Sequence, residues 1–367
     1  MGLTTMPRRR PGDERMLSRV ADAIYWMSRY VERAENVARF LDVSLQVTLD
    51  MSDPQGDPWA GVVTATGDQA HYAERYGDAT RDGVVRFLTF DAGSQNSILS
   101  CVAQARENAR SVRDAISSEM WEGLNTYYLS VLEAAKDDRV FVEPHAFLDD
   151  VKRCAHLFVG TTDLTMTHGE GWHFGQLGRL LERADQTSRI VDAKLVLQQA
   201  RQNDVGKQFD ESTLVALLRS VSALEMYRKR YGQVTYAPVM GFLLLERMFP
   251  RSVRYCLNEA GRSLHEIHGA PPDAGASPAE RVLGRLASEY EFAVIEELIA
   301  TGLQPHLDRM QSDLNAVGRA IHDAFFADGL NVTAAAPNRQ NAALASNHQS
   351  MGPTVTLTGS LSLRPQT

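Results

Sequence analysis

The sequence predicts an all-α protein, a multi-helix bundle with an internal pseudo-repeat, and three observations carry that expectation. Apolar residues recur at spacings of three and four over long stretches, the pattern of amphipathic helices. Serines and prolines punctuate those stretches where helices would start. One Glu-Arg segment occurs twice, each time inside a long helical pattern.

Residues 1–15 are basic but carry no apolar run, so they read as a disordered tail rather than a signal peptide. From Met16 to about Asp50, the apolar series Ile24, Met27, Val31, Ala34, Ala38 and Leu41 predicts one long helix, which the segment SDPQGDP ends. Helical patterns return over Thr80–Leu88, Asn96–Ile116 and Ser117–Ala135, and Pro144 opens another that runs to the break at His168–Gly171. Trp172 to about Gln199 predicts a second long helix with Leu177, Leu180, Leu181, Ala184 and Val191 on its apolar face. Shorter helices are expected over Ser212–Arg219 and Pro238–Arg247, and one starting at Pro250. Ser277-Pro278-Ala279-Glu280 has capping-box spacing with proline at the first helical position. Pro305 begins the last helix, which ends near Phe326. No stretch combines β-branched alternation with hairpin turns, so no sheet is expected. The expected domain is 16–329; residues 330–367, rich in Ala, Asn, Gln, Ser, Thr and Pro, are expected to be a disordered tail.

The repeat aligns Arg29–Asp42 with Arg179–Asp192, with six identities that include Glu32/Glu182, Arg33/Arg183 and Arg39/Arg189. At ~100° per residue, Arg29, Glu32, Asn36 and Arg39 form one polar stripe. The stripe reads either as a solvated face laced by intrahelical pairs, each worth about 0.2–0.5 kcal/mol, or as a site. Arg33 and Arg183 have no carboxylate three or four places away in their own helices. Standing between the polar and apolar faces, each guanidinium needs a bidentate acceptor, which is a carboxylate of a neighbouring helix or an anionic ligand. Arg106, Arg110 and Arg113 line up on another helix with Glu107 and Asp114 beside them. If that helix meets the two Glu-Arg helices, a polar cleft lined by Arg and Glu results, unless the stripe faces solvent. At Pro250, free N–H groups of Arg251, Ser252 and Val253 at a helix start are a further anion candidate, against the plainer reading of an ordinary proline-started helix.

Composition narrows the function classes. A net charge of −8 and a pI near 5.7 disfavour non-specific nucleic-acid binding. Three cysteines at long spacings suit neither a disulfide framework nor a Cys-rich metal site, so a reducing, cytoplasmic compartment is expected. The longest uncharged apolar stretch, Tyr236–Leu245, is far short of the ~20 residues a membrane span needs. Glu170-x-x-His173 stands alone and between glycines, so no metal and no cofactor is expected. Trp26, Trp121 and Trp172 read as core residues. No nucleotide-binding or hydrolase motif is present.

The runs Met16–Arg39, Ala105–Ser117, Leu177–Arg189 and Phe249–Val253 together resemble the bacterial alpha-E family, over about Met16–Phe326. Members of that family commonly accompany, or are fused to, a circularly permuted ATP-grasp ligase, often with a transglutaminase-like protein. The resemblance implies a role in making or modifying a peptide or amide bond. It carries motif positions onto Glu32, Arg33, Glu182 and Arg183, with Arg106, Glu107, Arg113, Asp114, Arg251 and Ser252 as secondary candidates; Leu245-Glu246-Arg247 is not counted as a third copy. Three functions follow as expectations: an accessory subunit of an ATP-dependent amide-forming system whose cleft, including Arg29, Arg39 and Arg189, binds an anionic group; an enzyme with Glu32 or Glu182 as general base; or a helical scaffold.

Overall fold

The computed structural model describes residues 16–50, 58–201, 211–269 and 275–327. Both expected tails lie outside these residues, apart from the end of the domain near 327. Among the described residues there are sixteen helices and no strand.

The first eight helices are α1 (Ser18–Asp50), α2 (Pro58–Thr66), α3 (Gln69–Tyr76), α4 (Arg81–Thr89), α5 (Ile98–Ser111), α6 (Ser118–Ala134), α7 (Arg139–Val142) and α8 (His145–Thr165). The second eight are α9 (Glu170–Arg201), α10 (Glu211–Ser220), α11 (Leu224–Tyr231), α12 (Tyr236–Leu245), α13 (Val253–His268), α14 (Pro278–Phe292), α15 (Ile295–Thr301) and α16 (Leu303–Phe325). The second set repeats the first. In one half α1 packs on α5 and α8, α5 on α6, and α6 on α8. In the other α9 packs on α13 and α16, α13 on α14, and α14 on α16. The two four-helix groups meet along α1 and α9, and their short helices are exchanged, with α2 lying on α9 and α10 on α1.

The repeat extends well beyond the Glu-Arg segment, into a part of the sequence where the analysis above sees none. Tyr72, Arg75, Tyr76, Gly77, Thr80, Phe87, Ser97 and Cys101 recur 155 places later as Tyr227, Arg230, Tyr231, Gly232, Thr235, Phe242, Ser252 and Cys256. Their contacts recur too. Tyr72 stacks on Tyr76 and meets Phe87 edge-on, as Tyr227 stacks on Tyr231 and meets Phe242. The Tyr72 and Tyr227 hydroxyls each donate to the carbonyl six residues on, at Asp78 and Gln233. Arg75 pairs with Asp91, and Arg230 with Glu246. Gly77 and Gly232 end their helices at φ 72° and 73°, a conformation that costs glycine no Cβ clash.

Caps account for the longer boundaries. Ser97, Ser117, Ser252 and Ser277 each accept a backbone N–H at a helix start, and Ser277–Glu280 forms the expected capping box. Two expectations change here. The helix after Pro250 starts at Val253, because Ser252 supplies the cap and Pro250 remains in the preceding turn. The short helices α2, α3, α7, α11 and α15 lie in stretches for which no helix is expected, since pieces of four to nine residues give little periodicity.

The core sits on both sides of the α1–α9 seam. Ile24, Met27, Val31, Ala34, Ala38 and Leu41 from α1, and Leu177, Ala184 and Val191 from α9, are all buried. The seam is narrow because α9 presents glycines. A Cβ on Gly178 would stand 2.4 Å from the Tyr25 carbonyl oxygen, and one on Gly175 3.1 Å from Ser28 Oγ. We predict that Gly178→Ala forces α1 and α9 apart and costs about 1–3 kcal/mol, the usual penalty of overpacking. Denaturant unfolding measures it, and Gly123→Ala, where nothing lies within 4 Å of the added Cβ, is the matched control.

Candidate functional site

The polar stripe of α1 is turned away from solvent, and its Glu32–Arg33 segment faces its copy on α9. Glu32, Arg33, Glu35, Asn36, Arg39 and Glu182 are all buried. Each Glu-Arg pair is exchanged across the seam. Arg33 Nε and Nη2 donate to the two Glu182 oxygens at 2.6 and 3.0 Å, and Arg183 Nε and Nη2 donate to the two Glu32 oxygens at 2.7 and 2.8 Å. The acceptor that Arg33 and Arg183 lack in their own helices is therefore the carboxylate of the other copy. Arg29 adds a third hold on Glu182, its Nε 2.8 Å from Oε2, and donates to the Tyr25 hydroxyl at 3.1 Å. The amides of Asn36 and Gln186 each donate to the glutamate one turn back, at 3.2 Å in both copies.

Burial by itself would raise both carboxyl pKa values. The guanidinia outweigh it: Arg183 and Arg251 hold Glu32 far below the ordinary range, and Arg33 and Arg29 bring Glu182 to about 2. Against the effect of burial, Arg33 and Arg183 are raised in turn by these glutamates, and Arg29 by Tyr25 and then Glu182. A carboxylate so occupied is a weak base. Each Glu182 oxygen accepts two hydrogen bonds, and Glu32 accepts three at Oε1 and one at Oε2, an arrangement that disfavours a general-base role for either.

Arg251, a secondary candidate from the turn before α13, belongs at the centre. Its Nη1 lies 3.1 Å from both Glu32 Oε1 and Asn36 Oδ1, and its Nη2 lies 3.0 Å from both Glu35 oxygens. Ser252 is the α13 cap rather than a ligand, its hydroxyl donating to the Glu246 carbonyl. Arg39 pairs with Glu35 through Nη2, and Arg189 with Asp185 at 2.8 Å. Asp42 turns from Arg39 to α8, where His145 and Lys152 hold it at 2.6 and 2.8 Å.

The α5 candidates do not join the cleft. Arg106 hydrogen-bonds Asn125 at 2.8 Å and lies over the Trp121 and Tyr128 rings of α6; Arg113 also lies over Trp121. Glu107 pairs with Arg106 and Arg110, and Asp114 is exposed. Glu107 of the same helix and the aromatic faces of α6, not a carboxylate layer from the Glu-Arg helices, balance that arginine row. Among the described residues no group of three His, Cys, Asp or Glu side chains is arranged to hold a metal. Glu170 instead accepts the Met16 backbone N–H at 2.8 Å. No described helix is long and apolar enough to cross a membrane.

Residues missing from the sequence-based site are Asn96, His156 and Arg179. Asn96 precedes the Ser97 cap as Arg251 precedes Ser252, and its Oδ1 accepts from Arg33 Nη1 at 3.1 Å. The 155-residue repeat is the signal that marks it. Cys101 and Cys256 also correspond: burial pushes both thiols up to about 12, and their Sγ atoms donate to the Gln95 and Pro250 carbonyls.

Residues 16–326 match the family model called Alpha-E, a predicted alpha-helical domain with a conserved ER motif. The chain belongs to the Alpha-E family. Its Glu-Arg pairs at 32–33 and 182–183 are the ones that exchange partners across the seam. The chain is 27% identical over 336 residues to an uncharacterized protein of Mycobacterium bovis and to one of Mycobacterium tuberculosis. These matches cover 85% of this chain but 37% of the mycobacterial ones, so the chain spans little more than a third of the length of the curated relatives it matches. No solved structure matches it.

Two predictions follow from this electrostatic arrangement. Glu182→Gln removes the charge that two buried guanidinia share and should cost about 3–5 kcal/mol in denaturant unfolding, the range for breaking a buried pair on one side. The wild-type folded pKa is depressed, so the Glu182 contribution is complete above about 4.5 and lost as pH falls toward 2. The Glu182→Gln deficit should therefore shrink in acid. Asp192 behaves oppositely. Burial and the nearby Asp308 raise it to about 6, and its Oδ1 has no hydrogen-bond partner. Its ionisation opposes folding above that pH, and the penalty fades as pH falls to the unfolded value near 4. Asp192→Asn should raise Tm at pH 7.5 and leave it unchanged near pH 4.

Proposed function

We propose that this Alpha-E domain is the accessory module of an ATP-dependent system that forms peptide or amide bonds, and that it holds an anionic group of the substrate rather than performing the chemistry. The observation that carries the reading is the charge balance at the seam. Glu32 and Glu182 are spent on guanidinia, while the basic side chains around them outnumber the acids they pair with. A centre with no free base and surplus guanidinium suits binding, since a guanidinium holds carboxylate and phosphoryl oxygens bidentately.

The partner reading draws on two supports. Alpha-E proteins commonly accompany a circularly permuted ATP-grasp ligase, often with a transglutaminase-like protein. In the mycobacterial relatives the matched region is 37% of a longer chain, so there such a domain operates beside further polypeptide. A ligase that activates a carboxylate with ATP works throughout on oxyanions, and a neighbouring anion-holding module fits that chemistry.

The test is to purify the chain with a circularly permuted ATP-grasp ligase from the same organism and to follow ADP release in the presence of amine and carboxylate substrates. A stable complex with ADP release raised at least several-fold by the chain is expected. Two proteins that elute separately, with ADP release unaffected by the chain, would overturn the partnership.

A further inference from the structure

The two halves serve as internal controls for each other, and they differ in the charges flanking the exchanged glutamates. On the Glu182 side, the residue before the α5 cap is Asn96, which accepts from Arg33 and donates to Asp68 Oδ2 at 2.8 Å. On the Glu32 side, the residue before the α13 cap is Arg251, and the position matching Asp68, ahead of α11, is Ala223. The Glu32 side has gained a cation and lost an acid. The consequence is visible in the arginines. On the Glu182 side, Arg33 and Arg189 are raised by their carboxylates, and Arg29 by Tyr25 and then Glu182. On the Glu32 side, burial brings Arg179 and Arg251 down to about 10, with Arg183 as a repelling neighbour of both. Burial, then Arg251, lowers Arg39 further.

Arg39 is the focus of this imbalance. It is 4% exposed, and its Nε and Nη1 are buried with no hydrogen-bond partner. Its Nη2 must share Glu35 Oε1 with Arg251 Nη2 and with His156 Nε2, which lies 3.2 Å away. Two buried guanidinium donors without an acceptor are costly, and an acceptor from outside the chain removes that cost. The surface lies closest at α8, where the His156 side chain is 64% exposed while the Glu35 it touches is 2% exposed.

We propose that the Arg39–Arg251 cluster, entered past His156 between α1 and α8, is a binding site for a small oxyanion, a carboxylate or phosphoryl group, which supplies the acceptors that Arg39 lacks. This rests on the reading that the domain holds an anionic group, and it moves that group from the twin Glu-Arg pairs to the surplus guanidinia beside them. The Glu-Arg pairs then act as the frame that fixes Arg251 and Arg39 against each other.

The test uses the full chain, with inorganic phosphate and acetate as probes and sodium chloride at matched ionic strength as control, in isothermal titration calorimetry. Saturable binding of phosphate or acetate is expected, weakened at least tenfold in Arg251→Asn, which installs the residue the other half tolerates. Arg110→Ala, which removes an exposed guanidinium outside the cleft, should leave binding unchanged. Tighter binding of phosphate assigns the site to a phosphoryl group, and tighter binding of acetate to a carboxylate. No binding beyond chloride, or equal binding by Arg251→Asn, overturns the site. On the unaltered chain, the Arg39 Nε–H resonance should shift saturably with the bound probe; a static resonance also overturns it. Ligase stimulation measured alongside separates the two readings. Stimulation without anion binding sinks this site alone, whereas anion binding without stimulation leaves the site and sinks the partnership.

Discussion

The exchange of Glu32–Arg183 for Arg33–Glu182 is the constraint on which the rest of the molecule depends. Neither copy of the motif can be satisfied within its own helix, because Glu32 and Arg33 diverge by ~100° and Arg33 has no acid one turn away. Each half therefore presents a buried carboxylate and a buried guanidinium that only the other half can match. Ion pairs of this kind contribute little net stability compared with apolar packing, yet they punish mismatch severely. Sliding α1 by one turn, ~5.4 Å, along α9 would separate every donor from its acceptor. The exchanged pairs thus fix register, and apolar residues such as Met27, Ala34, Leu177 and Ala184 supply the adhesion.

Close approach makes that exchange possible. Gly175 and Gly178 bring the α9 backbone onto Ser28 and Tyr25, so that two-donor contacts close at 2.6–3.0 Å without long reaches. Crossing the small helices, α2 to α9 and α10 to α1, then covers the ends of the seam with residues from the opposite half. The duplicated Glu-Arg pair is, in this chain, foremost a device for joining the two halves. That role also makes a carboxylate at its centre a weak base: against burial, the Arg33 and Arg29 guanidinia bring Glu182 down to about 2.

How much of this is legible in the sequence depends on range. Helix periodicity and serine caps are local, and they give the all-α class, both long helices and the starts at Ser117 and Ser277. The Glu-Arg repeat is legible because fourteen residues of similar character recur intact. The second repeat, Tyr72–Cys101 against Tyr227–Cys256, is harder to see because, apart from Arg75-Tyr76-Gly77 against Arg230-Tyr231-Gly232, its identities are scattered singly among dissimilar neighbours. The inward turn of the polar stripe is not legible at all. Arg29 could pair with Glu32 in its own helix, and only the approach of α9 shows that it prefers Glu182. For the same reason Arg106 and Arg113 read as cleft residues, whereas Trp121 and Tyr128 of α6 are what their face meets.

A duplicated fold separates scaffold from specialisation by its own internal comparison. Positions where both copies agree, such as the tyrosine stacks, the serine caps, the buried cysteines and the exchanged glutamates, keep one architecture standing twice. Positions where they disagree are released from that duty. Asp42 is held by His145 and Lys152 from α8, while its copy Asp192 meets Asp308 and is raised to about 6. Asn96 is neutral and Asp68 is present on one side; Arg251 is charged and Ala223 replaces the acid on the other. Every one of these differences puts more positive charge on the side flanked by α8. Packing alone gives no reason for them to agree in sign, because a frame needs only that each buried charge be matched. A ligand carrying negative charge does give a reason, and it assigns the two halves different work: the Glu182 side closes on itself, and the Glu32 side is left open to an anion.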